Sequence, residues 1–136
     1  MTGTLSIRDR RLGGCHLVVL DGEIDLGSAP VLRSRLSATI ALAEEPVLLD
    51  VSGVGFCDAA GLNVFAVAIK DAAARPVPLH LVGLRGRLAN VFTLTGLDQA
   101  LPAHPDLRRA LRALRAGADG PHGAAVRPED GRPVPG

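Results

Sequence analysis

The chain has 136 residues, 47% of them hydrophobic, with a net charge of +1 and three Phe but no Trp or Tyr. That length is one domain with room for a short tail, and neither the overall charge nor the aromatic content gives a basis for nucleic acid as a partner. No stretch approaches the ~18 uninterrupted apolar residues of a membrane span, and MTGTLSIRDRR at the N-terminus is not followed by a signal-peptide apolar run. A cytoplasmic protein without membrane insertion is expected. Cys15 and Cys57 have neither metal spacing nor a disulfide framework. They read as buried small hydrophobes, so no metal and no cofactor is expected.

LSIRDR (5–10) alternates weakly and HLVVLDG (16–22) more strongly, and the Gly pair at 13–14 predicts a β-hairpin or tight connection between them. Asp25 to Pro30 carries helix-start chemistry: an acid, a Ser, and a Pro in the first turn. Val31, Leu32, Leu36, Ile40 and Ala43 follow at helical spacing. Residues 47–51 are a short apolar run ended by polar and Gly punctuation, which predicts a buried strand. From Asp58 a helix places Leu62, Phe65, Ala66 and Ile69 along one face. VPLHLVGL (77–84) is another buried strand, and 87–98 is a helix ended by Gly96, with Leu97 placed for the contact that accompanies such caps. Residues 100–103 read as a short edge strand and 105–114 as a last helix. From Gly117 onward, Gly and Pro take nine of twenty positions, too little apolar content to offset ordering entropy, so a folded domain over 1–116 and a disordered Gly/Pro-rich tail over 117–136 are expected. The order ββαβαβαβα implies an α/β fold: a mixed, mostly parallel sheet flanked by about four helices.

Residues 53–65 read GVGFCDAAGLNVF. A strand that gives way to a helix leaves several backbone N–H groups without intrahelical partners. Asp58 can accept from them as an N-cap, and its charge suits the positive end of the helix dipole. Ala59 and Ala60 add no bulk, and Gly61 allows another surface to approach closely. On those grounds alone the segment is a capped, tightly packed helix. A second feature points elsewhere: Ala60, Val64 and Val67 fall at i, i+4, i+7 on a different side from the core stripe, beside Ala59 and Asn63. A helix apolar on two faces is either sandwiched or presents one face to a partner, and open α/β sheets place their sites at this end of the strands.

GEIDLGSAP (22–30), LLDVSGVGFCDAAGLNVF (48–65) and VFTLTGLDQAL (91–101), in this order and with the right elements between them, resemble the STAS domain of bacterial anti-sigma-factor antagonists. The resemblance covers roughly residues 5–115. It implies a non-enzymatic regulator that binds an anti-sigma factor, a serine-protein kinase of the histidine-kinase-like ATPase fold, and thereby frees a sigma factor. In the regulatory members a Ser or Thr directly after an Asp at the helix start is phosphorylated by that partner, and the phosphorylated antagonist lets go. By the same resemblance Asp58 matches the motif's acid and Gly61 its glycine. Ala59 takes the place of the phospho-acceptor, Ala60 a place that is often Ser, and Asp25 an acid in the neighbouring loop. Alanine cannot receive a phosphate, so the chain is expected to bind its partner without phospho-control at residue 59. The expected partner surface is Asp25, Asp58, Ala59, Ala60, Gly61, Asn63, Val64 and Val67. A STAS adaptor subunit of a lipid-transport or multiprotein sensory assembly is the other function the resemblance admits.

Three further constellations compete. Asp50 ends a buried strand, as the phospho-accepting Asp of a receiver domain does, but that chemistry needs an early acidic pair for Mg²⁺ and a following Lys. The early acids are Asp21, Glu23 and Asp25, and the one Lys, Lys70, falls on a helix, so a hydrogen bond to nearby loop backbone is expected instead. Cys57 works as a nucleophile only if folding brings His16, His80 or His104 beside it. No oxyanion hole, G-x-G-x-x-G or P-loop accompanies it, so no enzyme is expected. Arg108, Arg109, Arg112 and Arg115 give the last helix a basic side, which reads as a solvated face.

Overall fold

The computed structural model describes residues 4–118. Among them, in chain order, are β1 (Leu5–Leu12), β2 (Cys15–Ile24), α1 (Ala29–Leu42), β3 (Val47–Cys57), α2 (Ala59–Ala73), β4 (Leu79–Val82), α3 (Gly86–Thr95), α4 (Leu97–Ala100), β5 (Ala103–His104) and α5 (Leu107–Ala118). They divide after Pro105 into two units, the sheet with its first four helices and α5 by itself.

The sheet has the spatial order β1-β2-β3-β4-β5. β1 and β2 form the expected antiparallel hairpin, closed at Gly14 with φ +84, and every later pair is parallel. The crossovers β2-α1-β3 and β3-α2-β4 step in the same direction, which puts α1 and α2 on one face of the sheet. To that face point Val18, Leu20, Val47, Leu49, Val51, Leu79 and Leu81, packed with Leu32, Leu36 and Ile40 of α1, Phe65 of α2 and Phe92 of α3. The core is aliphatic around one aromatic pair, Phe65 and Phe92 edge to face at 5.2 Å. β1 guards its open edge with charge: Arg8 meets Asp21 at 3.3 Å, Asp9 meets Arg35 at 2.6 Å and Arg11 meets Glu45 at 3.4 Å. At the end of α1 the Arg75 guanidinium donates to the carbonyls of Ala41 and Ala43, which the helix itself leaves without partners.

Several boundaries move from their expected places, each for a local reason. β3 continues six residues beyond Val51, because Gly53 and Gly55 extend the strand rather than end it. Gly53 lies so close under the Asp21 carboxylate that a Cβ there would overlap it, and pairing with β2 runs on to Ile24 and Cys57. Gly96 (φ +81) does end α3, but Leu97 opens a separate four-residue turn, α4, and packs against the core. Five helices result among the described residues where about four were expected. The last strand sits at 103–104 rather than 100–103. On α1 the buried stripe starts at Ala29, and Val31 is exposed. α5 is capped by Asp106, whose carboxylate accepts from the Arg109 N–H at 2.9 Å, and Arg108, Arg109, Arg112 and Arg115 are exposed on it. It reaches two residues into the segment expected as tail, and residues 119–136 lie outside the described ones.

His80 on β4 and His104 on β5 stack and share a hydrogen bond, Nδ1 to Nε2, of 2.9 Å. Burial, and then the neighbouring His104, push His80 from 6.5 down to about 4, and burial lowers His104 as well. Both rings are therefore neutral in the folded chain at a pH where the unfolded chain already binds protons. The stability they contribute is whole above about pH 6.5 and is lost as pH falls toward about 4. Urea midpoints measured across that window should fall steadily, and His80→Phe should flatten the profile.

Candidate functional site

Asp58 holds the mouth of α2 together. Its backbone is extended (φ −93°, ψ −172°), which suits an N-cap. Oδ1 accepts from the Gly61 N–H at 3.0 Å, and Oδ2 accepts from the Leu26 N–H at 3.1 Å. One carboxylate thus caps α2 and fastens the β2–α1 loop to it. The Asp58 N–H donates to the Ile24 carbonyl at 3.0 Å, which fixes the same junction from the backbone side. Within the loop Asp25 and Ser28 clasp each other: the Ser28 N–H donates to Asp25 Oδ1 and the Asp25 N–H to Ser28 Oγ, both at 3.0 Å, and the Ser28 hydroxyl donates to the Glu23 carbonyl at 2.9 Å.

Gly61 is there for close approach. A Cβ at 61 would stand 2.6 Å from Cγ2 of Ile24 and 2.7 Å from Sγ of Cys57. Gly61→Ala is accordingly expected to cost about 1–3 kcal/mol, read from urea unfolding, because Ile24 is fully buried and its carbonyl oxygen also lies 3.0 Å from the added Cβ, so relief requires moving the β2 end.

The structure brings most of the expected residues to one place but buries three of them, Asp25, Gly61 and Val64. Ala59 is exposed at the first helical position, Ala60 and Val67 are half-buried, and Asn63 is exposed. Asp25 is 9% exposed, its carboxylate turned into the loop. Val64 is a correction: at 1% exposure it lies in the core. The buried stripe of α2 is Gly61, Val64, Phe65, Ala68 and Ala72, while Leu62, Ala66 and Ile69, expected as the stripe, are half-buried. α2 packs against both the sheet and α1, so its burial spans a wide arc, and nearly every residue of AAGLNVFAVAIKDAA is small or apolar. The 3.6-residue period alone could not fix which side faces in.

Sequence reasoning passed over the other wall of the mouth. A shallow groove between α1 and α2 is lined by Leu26, Pro30, Arg33, Ala60 and Asn63, among others. Leu26 is 77% exposed, and its N–H is the one Asp58 holds. No local pattern in GEIDLGSAP marked it, because Leu26 stands at strand spacing from Ile24 and at helical spacing from Ala29. Apolar Leu26 and cationic Arg33 give the groove a neutral-to-positive character.

The competing constellations come apart. Asp50 Oδ1 accepts from the Ser52 N–H at 2.9 Å and its hydroxyl at 2.6 Å, the local hydrogen bonding expected for it. Burial, and then Asp58, push the Cys57 thiol up to about 12, so at neutral pH it is a thiol and not a nucleophile. His16 bonds Asp9, and His80 bonds His104. Thr93 and Thr95 turn their hydroxyls back onto α3 carbonyls. Among the described residues no group of three His, Cys, Asp or Glu is placed to hold a metal ion, and no helix is long and apolar enough to cross a membrane.

The profile of a known family, described as STAS domain, matches residues 6–110. The chain belongs to the STAS domain family. The anti-sigma-B factor antagonist of Listeria monocytogenes is 31% identical over 101 residues, which is 74% of this chain and 88% of that protein. The anti-sigma-B factor antagonist of Bacillus subtilis is 39% identical over 86 residues, 62% of this chain and 76% of that one. Among solved structures, an anti-sigma factor antagonist from Mycobacterium paratuberculosis matches with a TM-score of 0.74 at 29% identity, covering 82% of this STAS chain and 95% of the other.

Proposed function

We propose that this STAS protein is an anti-sigma-factor antagonist that docks the mouth of α2 onto a kinase-type anti-sigma factor and so releases a sigma factor. The docking surface is Ala59, Ala60, Asn63 and Val67 of α2, framed by Asp25, Asp58 and Gly61 and completed by Leu26 and Arg33 from the facing loop and helix. The observation that carries the reading is the position of Ala59: exposed, at the first turn of a helix whose cap is already satisfied by Asp58. A methyl group there leaves the surface neutral. A phosphate would add about −1.5 to −2 charges, and residue 59 has no oxygen to accept one. The chain thus acts as a permanently competent binder rather than an enzyme. The names of its relatives, anti-sigma-B factor antagonists, support the same reading.

The test uses purified kinase-type anti-sigma factors from the source organism. With one of them the chain should form a complex that survives prolonged incubation with ATP, and mass spectrometry should find no phosphate on it. Addition of the chain should restore transcription by the sequestered sigma factor. Absence of binding to every such factor defeats the reading, and so does ATP-dependent release with phosphate on Ser52, Thr93 or Thr95.

A further inference from the structure

β3 is 11 residues long, and β4 accompanies it over only four, Val47 to Asp50. On its other side β2 pairs with it as far as Cys57. Beyond Asp50, therefore, the edge of β3 that faces away from β2 has no strand neighbour among the described residues. The cause is local. Gly83, with φ +77, turns the chain after β4 hard against β3, so that a Cβ at 83 would lie 2.6 Å from the Cβ of Ser52. α3 starts three residues later and touches β3, but a groove of about 270 Å³ stays open between them.

The walls of that groove have a definite chemistry. Val54, Phe56, Leu88 and Val91 supply apolar surface, and Phe56 is 45% exposed although the other two Phe are fully buried. Two arginines and no acid line it. Arg85 donates to the Ser52 carbonyl at 3.3 Å, the bond a neighbouring strand's N–H would make. Arg87 is exposed and has no ion-pair partner among the described residues. The first N–H groups of α3 have no side-chain cap. An unshielded strand edge is a template for another strand. The outer edge at β1 is blunted by paired charges of both signs, whereas this inner edge carries a single sign beside an apolar floor.

We propose that this groove accepts an extended, acid-bearing segment of a partner protein as an added strand along residues 53–57 of β3, beyond Ser52, whose N–H is already held by Asp50 and whose carbonyl by Arg85. The segment's backbone pairs with the free edge, its acids meet Arg85 and Arg87, and an aliphatic side chain rests on Phe56 and Val91. The site is separate from the α2 mouth and stands whether or not an anti-sigma factor docks there.

The probe is the peptide acetyl-Glu-Val-Asp-Val-Glu-Val-amide, titrated into the isotope-labelled full chain. Amide signals of residues 53–57 and 85–91 should shift, and hydrogen exchange along 53–57 should slow. Arg87→Glu should weaken binding at least about tenfold, with the remaining amide spectrum unchanged; Arg85→Glu should do the same, and if it perturbs the fold Arg87→Glu carries the test alone. Of two peptides N-methylated at alternate residues, one should lose binding. The proposal is overturned if these signals do not move, if both N-methylated peptides bind as well as the parent, or if the Lys-for-acid analogue binds equally. It is also overturned if inorganic phosphate gives the same shifts and displaces the peptide, since the groove is then an anion site and not a strand acceptor.

Discussion

Ala59→Glu is expected to weaken binding to the anti-sigma factor by about 100-fold, equivalent to about 3 kcal/mol, while leaving the protein as stable as before or slightly more so. The two effects have different origins. A carboxylate placed in a contact built for a methyl group must be desolvated without a partner, and truncations or charges of that kind cost about 2–5 kcal/mol of binding. The same carboxylate at the first turn of α2 meets the positive end of the helix dipole, worth about 0.3–1 kcal/mol in favour of folding. Calorimetric titration reads the first and thermal unfolding the second. Loss of both together would mean that residue 59 supports the fold and not a contact. Ala59→Ser supplies the complementary experiment, since its hydroxyl sits beside Asp58 at the same exposed position. If the partner is the kinase-type factor proposed above, ATP should then place one phosphate on it and release the complex.

Val64→Asp and Val67→Asp are expected to part company. Val64 is 1% exposed and surrounded by core side chains, so a carboxylate there has no hydrogen-bonding partner and no route to water. The cost should be roughly 4 kcal/mol or more, a large share of the 5–15 kcal/mol that holds a domain of this size folded. The variant should unfold at a much lower urea concentration or fail to accumulate. Val67 is half-buried and outside the core cluster. Its Asp variant should keep the wild-type circular dichroism spectrum and lose partner affinity. If Val67→Asp unfolds the chain too, the docking surface shrinks to Ala59, Ala60 and Asn63 with the facing loop.

Alternation of strand and helix was readable because the strands of a covered parallel sheet are uniformly apolar and their connections are punctuated by Gly and Pro. VLLDV at 47–51 and VPLHLV at 77–82 show this: the first lies in β3, and of the second only Leu79–Val82 form β4, the strand expected over 77–84 being shorter at both ends. Boundaries were less readable wherever a glycine served packing instead of turning. Gly53 admits Asp21, Gly61 admits Ile24 and Cys57, and neither interrupts its element. The cap at Asp58 was legible because an acid before a helical run has one common use. Its second bond, to Leu26, was not, because the two residues are 32 apart in sequence and no local pattern links them. The phase of α2 was ambiguous for a different reason: a helix that is small and apolar all round carries little periodic signal. Val64 was therefore assigned to the wrong side.

The two hydrogen bonds accepted by the Asp58 carboxylate have a consequence for kinetics. A loop that must first be frozen slows association and weakens the complex by the entropy of freezing it. Here the segment bearing Leu26 is already tied to the start of α2, so an arriving protein meets two walls whose spacing is set in advance. Cutting that tie with Asp58→Ala should therefore show itself chiefly as slower capture of the partner, even where the final complex still forms.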